Sequence, residues 1–545
     1  MVTVFKNGHI YTMNQEMPYV SALVVRDDKI VYVGTDEGAA AYEANAKVVD
    51  LAGKMMIPGM IDAHCHPMQY PFLTSGIMLE VTMDKAAMLE AIAEYVHAHP
   101  EKNSYFGIGY PEWVFDEKGP QKSDLDAICA DKPIFLMSSG IHEAWCNSKT
   151  LEMVQVTKDT PDVMPGFSFF QRDESGEPTG RVVEMPSEML ILKGIPWFDV
   201  NQVEQLYRDY FDECSSLGIT GFVDCGNLDA FEPMTESVIH TLESAGEMKQ
   251  RINGCVMVES PEALENAVAR LREKHQEFHS DTYDVRTMKI VNDGTVESVS
   301  ACTYEPFGDG TLVEQPMAYG QNFYDACVAA AKAGFDIHIH GIGDKTIHEN
   351  LMAAKAVREA GCYDTRFINA HTQLVKPEDL PLFGKYNVLA NLSSIWFYCA
   401  PDVTRILGEE RVNRQYQVVS IMKEGGRITL GSDMPADELG HEPLKGIQMA
   451  VTRKLYLEQN AESLAEDFEK MTVHQALEAY TINAAYGMHM DDRTGSLEAG
   501  KYADLVVLEK DLNEIDPETI MDTRILLTMM GGRATYTDET FQAIL

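Results

Sequence analysis

The stretch Ile57-Pro58-Gly59-Met60-Ile61-Asp62-Ala63-His64-Cys65-His66 is an apolar run that ends in two histidines one residue apart. Read as a β-strand, it places residues i and i+2 on one face, so His64 and His66 aim at one point. Two convergent imidazoles most often serve a metal. Cys65, between them, points the other way and is assigned to packing. The same spacing recurs in His97-Ala98-His99-Pro100. There it closes a helix-like stretch, where i and i+2 lie on different faces. The second pair reads as a frayed helix end.

Outward from the first run, apolar strands alternate with helical spacers, the pattern of a parallel βα architecture. Candidate strands fall at 56–63, 219–225, 252–258, 287–291, 335–339, 366–370, 388–392 and 428–430. Helical spacers fall at 261–278, 324–333, 345–360 and 414–423, the first opened by Ser260 as N-cap and Pro261. Eight strands with alternating helices make an α/β protein with a TIM (β/α)8 barrel. The first interval is too long for one βα unit, so about 70–200 is an inserted lobe after barrel strand one, read as a lid. Residues 1–58 and 490–545 both read as short strands with turns. They are expected to pair into one small β-sandwich, with 59–489 forming the barrel domain.

A chain of 545 residues exceeds a single small core. With 85 Asp and Glu against 44 Lys and Arg, the net charge is −41, which repels nucleic acid and anionic lipid. Neither is expected as a partner; a small-molecule amide is, and a homodimer is the assembly carried forward. Ten cysteines with no CxxC pair fit free thiols in a reducing compartment. No basic segment followed by an apolar stretch opens the chain, and no run is long enough to span a bilayer. A cytoplasmic location is expected.

Working residues in such barrels cluster at the C-terminal ends of strands. Strand one ends in His64 and His66, strand four carries Lys289, strand five ends His338-Ile339-His340, strand six ends in His371, and strand eight ends in Asp433. Metal-type residues thus occur at five of eight ends. His338 lies one layer deeper than His340 and is read as a hydrogen-bonded core histidine.

The ordered set resembles the amidohydrolase superfamily, specifically amidohydrolase family 3, which includes N-substituted formamide deformylases. The matching segments are Ile57 to His66, Lys289-Ile290-Val291-Asn292-Asp293-Gly294, His340-Gly341-Ile342-Gly343-Asp344-Lys345, and Gly431-Ser432-Asp433-Met434-Pro435. Asn147-Ser148-Lys149-Thr150-Leu151 and the C-terminal stretch from Gly495 to Val506 match as well. The resemblance implies that His64 and His66 hold the more buried metal and that His340 and His371 hold a second. It implies that Lys289 is carboxylated to bridge the two, and that Asp433 ligates the first metal and acts as general base. An ammonium has no lone pair to donate, so Lys289 would first lose its proton and react with carbon dioxide; burial beside cations favours the neutral amine. The alternative for Lys289 is a buried lysine paired with a carboxylate in a one-metal site.

Zinc suits a site rich in imidazole, one or two ions, with other first-row metals open. Such a metal lowers the pKa of bound water from about 15.7 to about 7, giving a hydroxide that attacks an amide carbonyl, while Asp433 moves the proton. The expected reaction is hydrolysis of a linear C–N bond in an N-formyl or N-acyl amide. The alternatives are a deaminase or cyclic amidase on the same scaffold, or a non-catalytic ligand-binding relative. Deaminases of the superfamily commonly carry a glutamate soon after the strand-five histidine, and the segment His340-Gly341-Ile342-Gly343-Asp344 has none. Substrate contacts are assigned to His142, where relatives have a histidine near the pocket, and to Tyr110, Trp113 and Trp396, with a place in the core as the alternative for the three aromatics. Where the family often has Gln-Pro after strand seven, this chain has Ser393-Ser394-Ile395-Trp396, so pocket specificity is not transferred. Asp344 reads either as a partner behind the metal ligands or as an N-cap for the helix that follows, and Arg411 as a loop anchor.

Overall fold

The run that opens the barrel forms two strands rather than one, Met55–Pro58 and Met60–Cys65, broken at Gly59. A Cβ on Gly59 would lie 2.2 Å from the Thr220 hydroxyl oxygen, so only glycine lets the chain pass there. The Gly59 N–H instead donates to the Asp504 carbonyl at 3.0 Å. The first of the two strands leaves the barrel and joins a different sheet. The computed structural model describes residues 1–542 except 81, 117, 141–142, 165–167, 229, 399, 437–438, 459–460 and 465–466. It divides into two units: Met1–Pro67 with Phe211–Gly226 and Gly246–Leu545, and Met68–Tyr210 with Asn227–Ala245.

In the first unit, eight strands follow in chain order, each parallel to the next: β1 (Met60–Cys65), β2 (Ile219–Asp224), β3 (Arg251–Val258), β4 (Tyr283–Val291), β5 (Asp336–Gly341), β6 (Phe367–His371), β7 (Val388–Ser393) and β8 (Arg427–Gly431). The ring closes just past β8, where Asp433 N–H donates to His64 O at 2.7 Å and His66 N–H to Met434 O at 2.8 Å. The Asp62 carboxylate adds two bonds, from Ser432 N–H at 3.0 Å and Ser432 Oγ at 2.6 Å. This is a TIM barrel, closed by bonds between the end of the first strand and the residues that follow the last. Helices Pro261–Glu277, Gly320–Lys332 and Asp344–Glu359 follow β3, β4 and β5. The Ser260 side chain caps the first of them by accepting from Ala263 N–H. The spacer expected at 414–423 is shorter, Val418–Lys423, because Tyr416 sits at φ +53°, outside the helical region.

Both chain ends contribute to a six-stranded sheet. Its order is Arg533–Thr537, Ile525–Met530, Leu505–Leu508, Met55–Pro58, His9–Tyr11, Tyr19–Val20. A four-stranded sheet, Lys29–Gly34, Ala22–Arg26, Val2–Lys6, Lys47–Asp50, lies against it. Phe5, Leu23 and Ile30 of one sheet share a buried cluster with Met56, Leu505 and Leu527 of the other.

The second unit is built on its own six-stranded sheet, Phe169–Arg172, Pro178–Val183, Glu143–Cys146, Ile134–Ser138, Tyr105–Tyr110, Ile77–Met78. It reaches beyond the interval expected from the sequence, taking in residues to 210 and the helix Glu232–Ala245. Phe231, just before that helix, stacks on Phe72 at 4.6 Å, which ties the second segment to the first by apolar contact. Asn147 caps Ser148–Met153 through Thr150 N–H and also accepts from Ile134 N–H, so that motif serves the fold of the lobe. Among the described residues no helix is long and apolar enough to cross a membrane. The nine described cysteines are free thiols.

Candidate metal centre

Alternation along β1 puts Asp62, His64 and His66 on one face, and β8 delivers Asp433 to the same end of the barrel. His64 Nε2 lies 3.1 Å and His66 Nε2 3.4 Å from Asp433 Oδ1. The opposite nitrogen of each ring is fixed from behind. His66 Nδ1 donates to the Gly226 carbonyl at 2.9 Å, which leaves a lone pair on Nε2. His64 Nδ1 is 3.2 Å from Asn391 Oδ1 and 3.0 Å from His338 Nε2. Lys289, buried on β4, directs Nζ at His64 Nε2 from 3.2 Å. Burial, with the Lys289 charge second, pushes the His64 pKa down to about 3, so the ring is neutral at pH 7. A lone pair facing a carboxylate oxygen at such distances is repulsive unless a cation lies between them.

A second pair completes the arrangement. His340, at the end of β5, is held through Nδ1 by Asp293 Oδ1 at 2.8 Å. His371 ends β6 with its ring centroid 4.4 Å from that of His340 and 4.7 Å from that of His64. Its Nδ1 lies 3.9 Å from Asp433 Oδ2, is buried, and has no hydrogen-bond partner among the described residues. Such an orphaned imidazole nitrogen is what a metal ligand looks like without its ion. Burial, then the neighbouring His340, holds the His371 pKa well below the usual histidine range. Burial alone would raise the Asp433 pKa. The surrounding imidazoles, His64 foremost, outweigh it and hold the carboxyl well below its usual range. Neutral imidazoles around an ionised carboxylate are the protonation states a divalent first-row metal requires.

Backbone strain supports this geometry. His371, Thr372 and Asp433 all have positive φ, at 66°, 42° and 60°. Asn369 holds the first turn: its Nδ2 donates to Thr372 Oγ1 at 2.9 Å and to Gly341 O at 3.2 Å. Its Oδ1 accepts from Asn350 Nδ2 at 2.8 Å, and Asn350 Oδ1 in turn accepts from Asn292 Nδ2 at 2.8 Å. A buried amide chain thus links the ends of β4 and β6 through the helix after β5.

A family profile described as the amidohydrolase family matches residues 47–536. The chain belongs to the amidohydrolase family. Over 442 residues it is 30% identical to the exoenzymes regulatory protein AepA of Pectobacterium carotovorum subsp. carotovorum, covering 78% of this chain and 93% of that one. It is 27% identical to the N-substituted formamide deformylase of Arthrobacter pascens, covering 97% of each. The fold is shared with a solved structure, an uncharacterized metal-dependent hydrolase from Pyrococcus horikoshii OT3. That likeness has a TM-score of 0.76 at 22% identity and covers 95% of this chain and 99% of the other.

In this amidohydrolase the six residues proposed from the strand ends, His64, His66, Lys289, His340, His371 and Asp433, lie together at one end of the barrel. His338 is buried behind His64. Asp344 does not cap its helix. Gly343 occupies the N-cap position, and Asp344 Oδ1 accepts from Tyr304 N–H, pinning a loop. Arg411 holds the Glu305 and Pro306 carbonyls. Trp396 stacks on His371 with centroids 5.6 Å apart, which places it beside the centre. Tyr110 is corrected: it is fully buried in the core of the second unit, with Phe115 and Trp145 packed edge-on, so it is a packing residue of that core. Trp113 is in the second unit and 69% exposed, standing out from that core. His142 lies outside the described residues. Asp293 and Asn391 were missed. Asp293 was legible only as part of a motif, and its carboxylate bonds His340 together with Ile342, Gly343 and Cys302 N–H groups.

Proposed function

We propose that this amidohydrolase hydrolyses the linear C–N bond of a small N-formyl or N-acyl amide, using one or two divalent first-row metal ions, zinc being the best match. His64, His66 and Asp433 would hold one ion, His340 and His371 the other, with Lys289 between them as its carbamate. When bound, the metal would polarise the scissile carbonyl and acidify a water molecule. The observation that carries this reading is the convergence of His64 Nε2 and His66 Nε2 on Asp433 Oδ1, with Lys289 Nζ beside them.

The residues have separable tasks. Asn391, Gly226 and Asp293 fix ring orientation, so the metal-facing nitrogens need no rearrangement. Asp433 Oδ1 is engaged by His64 and His66. Oδ2, on the His371 side, would take the water proton and return it to the departing amine. An amine leaves poorly as an anion, so that return is needed for C–N cleavage. Trp396 would offer an apolar face to the substrate's acyl side. For Lys289, the neutral Nζ would attack carbon dioxide and release one proton, giving a carbamate whose oxygens can reach two ions.

The test is a panel of N-formyl amines, N-acyl amines and carbamates presented to metal-loaded enzyme, with amine and carboxylate products measured together. Equimolar amine and formate or carboxylate is the expected result. Ammonia from aminated heterocycles, with no cleavage of any amide, would overturn the reading.

A further inference from the structure

A second group of metal-type side chains lies away from the centre, within ten residues of sequence: His275-Gln276-Glu277-Phe278-His279-Ser280-Asp281-Thr282-Tyr283-Asp284. His275 is in the last turn of the helix Pro261–Glu277, and Asp284 is the second residue of β4. The turn between them is fixed. Phe278 N–H donates to Lys274 O, Val285 N–H to Phe278 O, and Ser280 Oγ accepts from both Thr282 and Tyr283 N–H. His279 and Asp284 are joined by an isolated antiparallel bridge. The backbone therefore presents three side chains to one point without further ordering.

The two imidazoles meet at a single oxygen. His275 Nδ1 lies 2.9 Å and His279 Nδ1 3.0 Å from Asp284 Oδ1, with ring centroids 4.3 Å apart. Each ring can donate Nδ1–H to that oxygen or, with its proton on Nε2, present a lone pair beside it. Ligands of one zinc ion, at bond lengths near 2.0 to 2.2 Å and tetrahedral angles, sit about 3.3 Å apart. The observed spacings need only a few tenths of an ångström of opening. Arg286 Nη1, 3.7 Å from Asp284 Oδ2, neutralises the far side of the carboxylate and leaves Oδ1 to the rings. The Val285 carbonyl, 3.1 Å from His275 Nδ1, is the group that competes for that nitrogen.

We propose that His275, His279 and Asp284 form a second divalent-metal site, specific for a first-row ion such as zinc. Two nitrogens and one carboxylate oxygen favour zinc, cobalt or nickel over magnesium or calcium, which take oxygen sets. The site ties the helix after β3 to the start of β4. It lies five residues before Lys289 on the same strand, about 16 Å along it. It therefore acts on local order rather than on turnover.

The test uses enzyme whose centre has been loaded with metal and freed of excess. Zinc, then magnesium, is titrated calorimetrically, and bound metal is counted by plasma emission. Wild type takes up one further zinc per chain and no magnesium, and its unfolding temperature rises. His275→Ala/His279→Ala takes up none beyond the centre's own, at unchanged kcat/KM. His279→Asn, which alters only the more exposed ring, binds at least tenfold more weakly. Equal uptake by wild type and the double variant, or no further uptake by wild type, would overturn the proposal.

Discussion

Of the chain's three His-x-His pairs, two, His64/His66 on a strand and His97/His99 on a helix, are given opposite roles by the backbone. On β1 the pair His64/His66 shares a face, and both Nε2 atoms reach one oxygen of Asp433. At the end of the helix Lys85–Ala98 the pair His97/His99 splits. His97 Nδ1 bonds the Ala93 carbonyl at 2.7 Å, and His99, the C-cap residue, packs at a tilt against Tyr95 with ring centroids 4.4 Å apart. Identical spacing therefore says nothing until the secondary structure is known. A period of two serves a strand, and a helix needs three or four. The proposed site at His275 and His279 obeys this rule, since four residues across a helix end bring its rings together.

The largest effect that would sharpen the contrast comes from the oxygen on which the first pair converges. Asp433→Asn keeps the shape and a metal-binding oxygen but loses basicity. Turnover of the best amide should fall by about 10²- to 10⁴-fold, with much of the metal retained by plasma emission. Near-normal turnover would remove Asp433 from the proton-transfer role. Next, His66→Ala deletes one ligand of the pair. Bound metal should drop below one equivalent at the first position, measured on protein dialysed against a weak chelator. Full occupancy would mean that the pair is no better a ligand set than His97/His99.

A smaller loss is expected one step out from the metal. Asp293→Asn keeps the size of the side chain but weakens its hold on His340 Nδ1. Metal affinity or kcat/KM should fall about 10- to 100-fold. An unchanged enzyme would show that the ring is oriented by packing alone.

Asp293 also marks where sequence reasoning stopped. The eight strands were legible because apolar periodicity repeats, and the strand-end residues because a barrel gathers such ends. Asp293 was not, since the hydrogen bond to His340 spans 47 residues and no local pattern encodes it. The left-handed turns at His371 and Asp433 were hidden because neither residue type announces positive φ. Tyr110 was misplaced because an aromatic residue looks alike in a core and on a pocket wall. The break at Gly59 depends on Thr220, 161 positions away (220 less 59), and so reads as continuous strand.

That break offers a test of stability rather than chemistry. Gly59→Ala forces a Cβ against the buried Thr220 side chain. Overpacking of this kind costs about 1–3 kcal/mol, seen as a lower denaturation midpoint. Thr220→Ala in the same chain should recover part of the loss. If it does not, the glycine is needed for its backbone and not for the close approach.

The smallest effect belongs to the helical pair. His97→Asn/His99→Asn leaves the Ala93 carbonyl exposed to water at a helix end, where a lost side-chain partner is readily replaced. Surface changes of this sort stay within about 0.5 kcal/mol. Bound metal and kcat/KM should match wild type within error, and the unfolding temperature should move by about 2 °C or less. Loss of metal from this variant would break the contrast outright, since it would mean that two imidazoles on different faces of a helix had been doing the work assigned to two on one face of a strand.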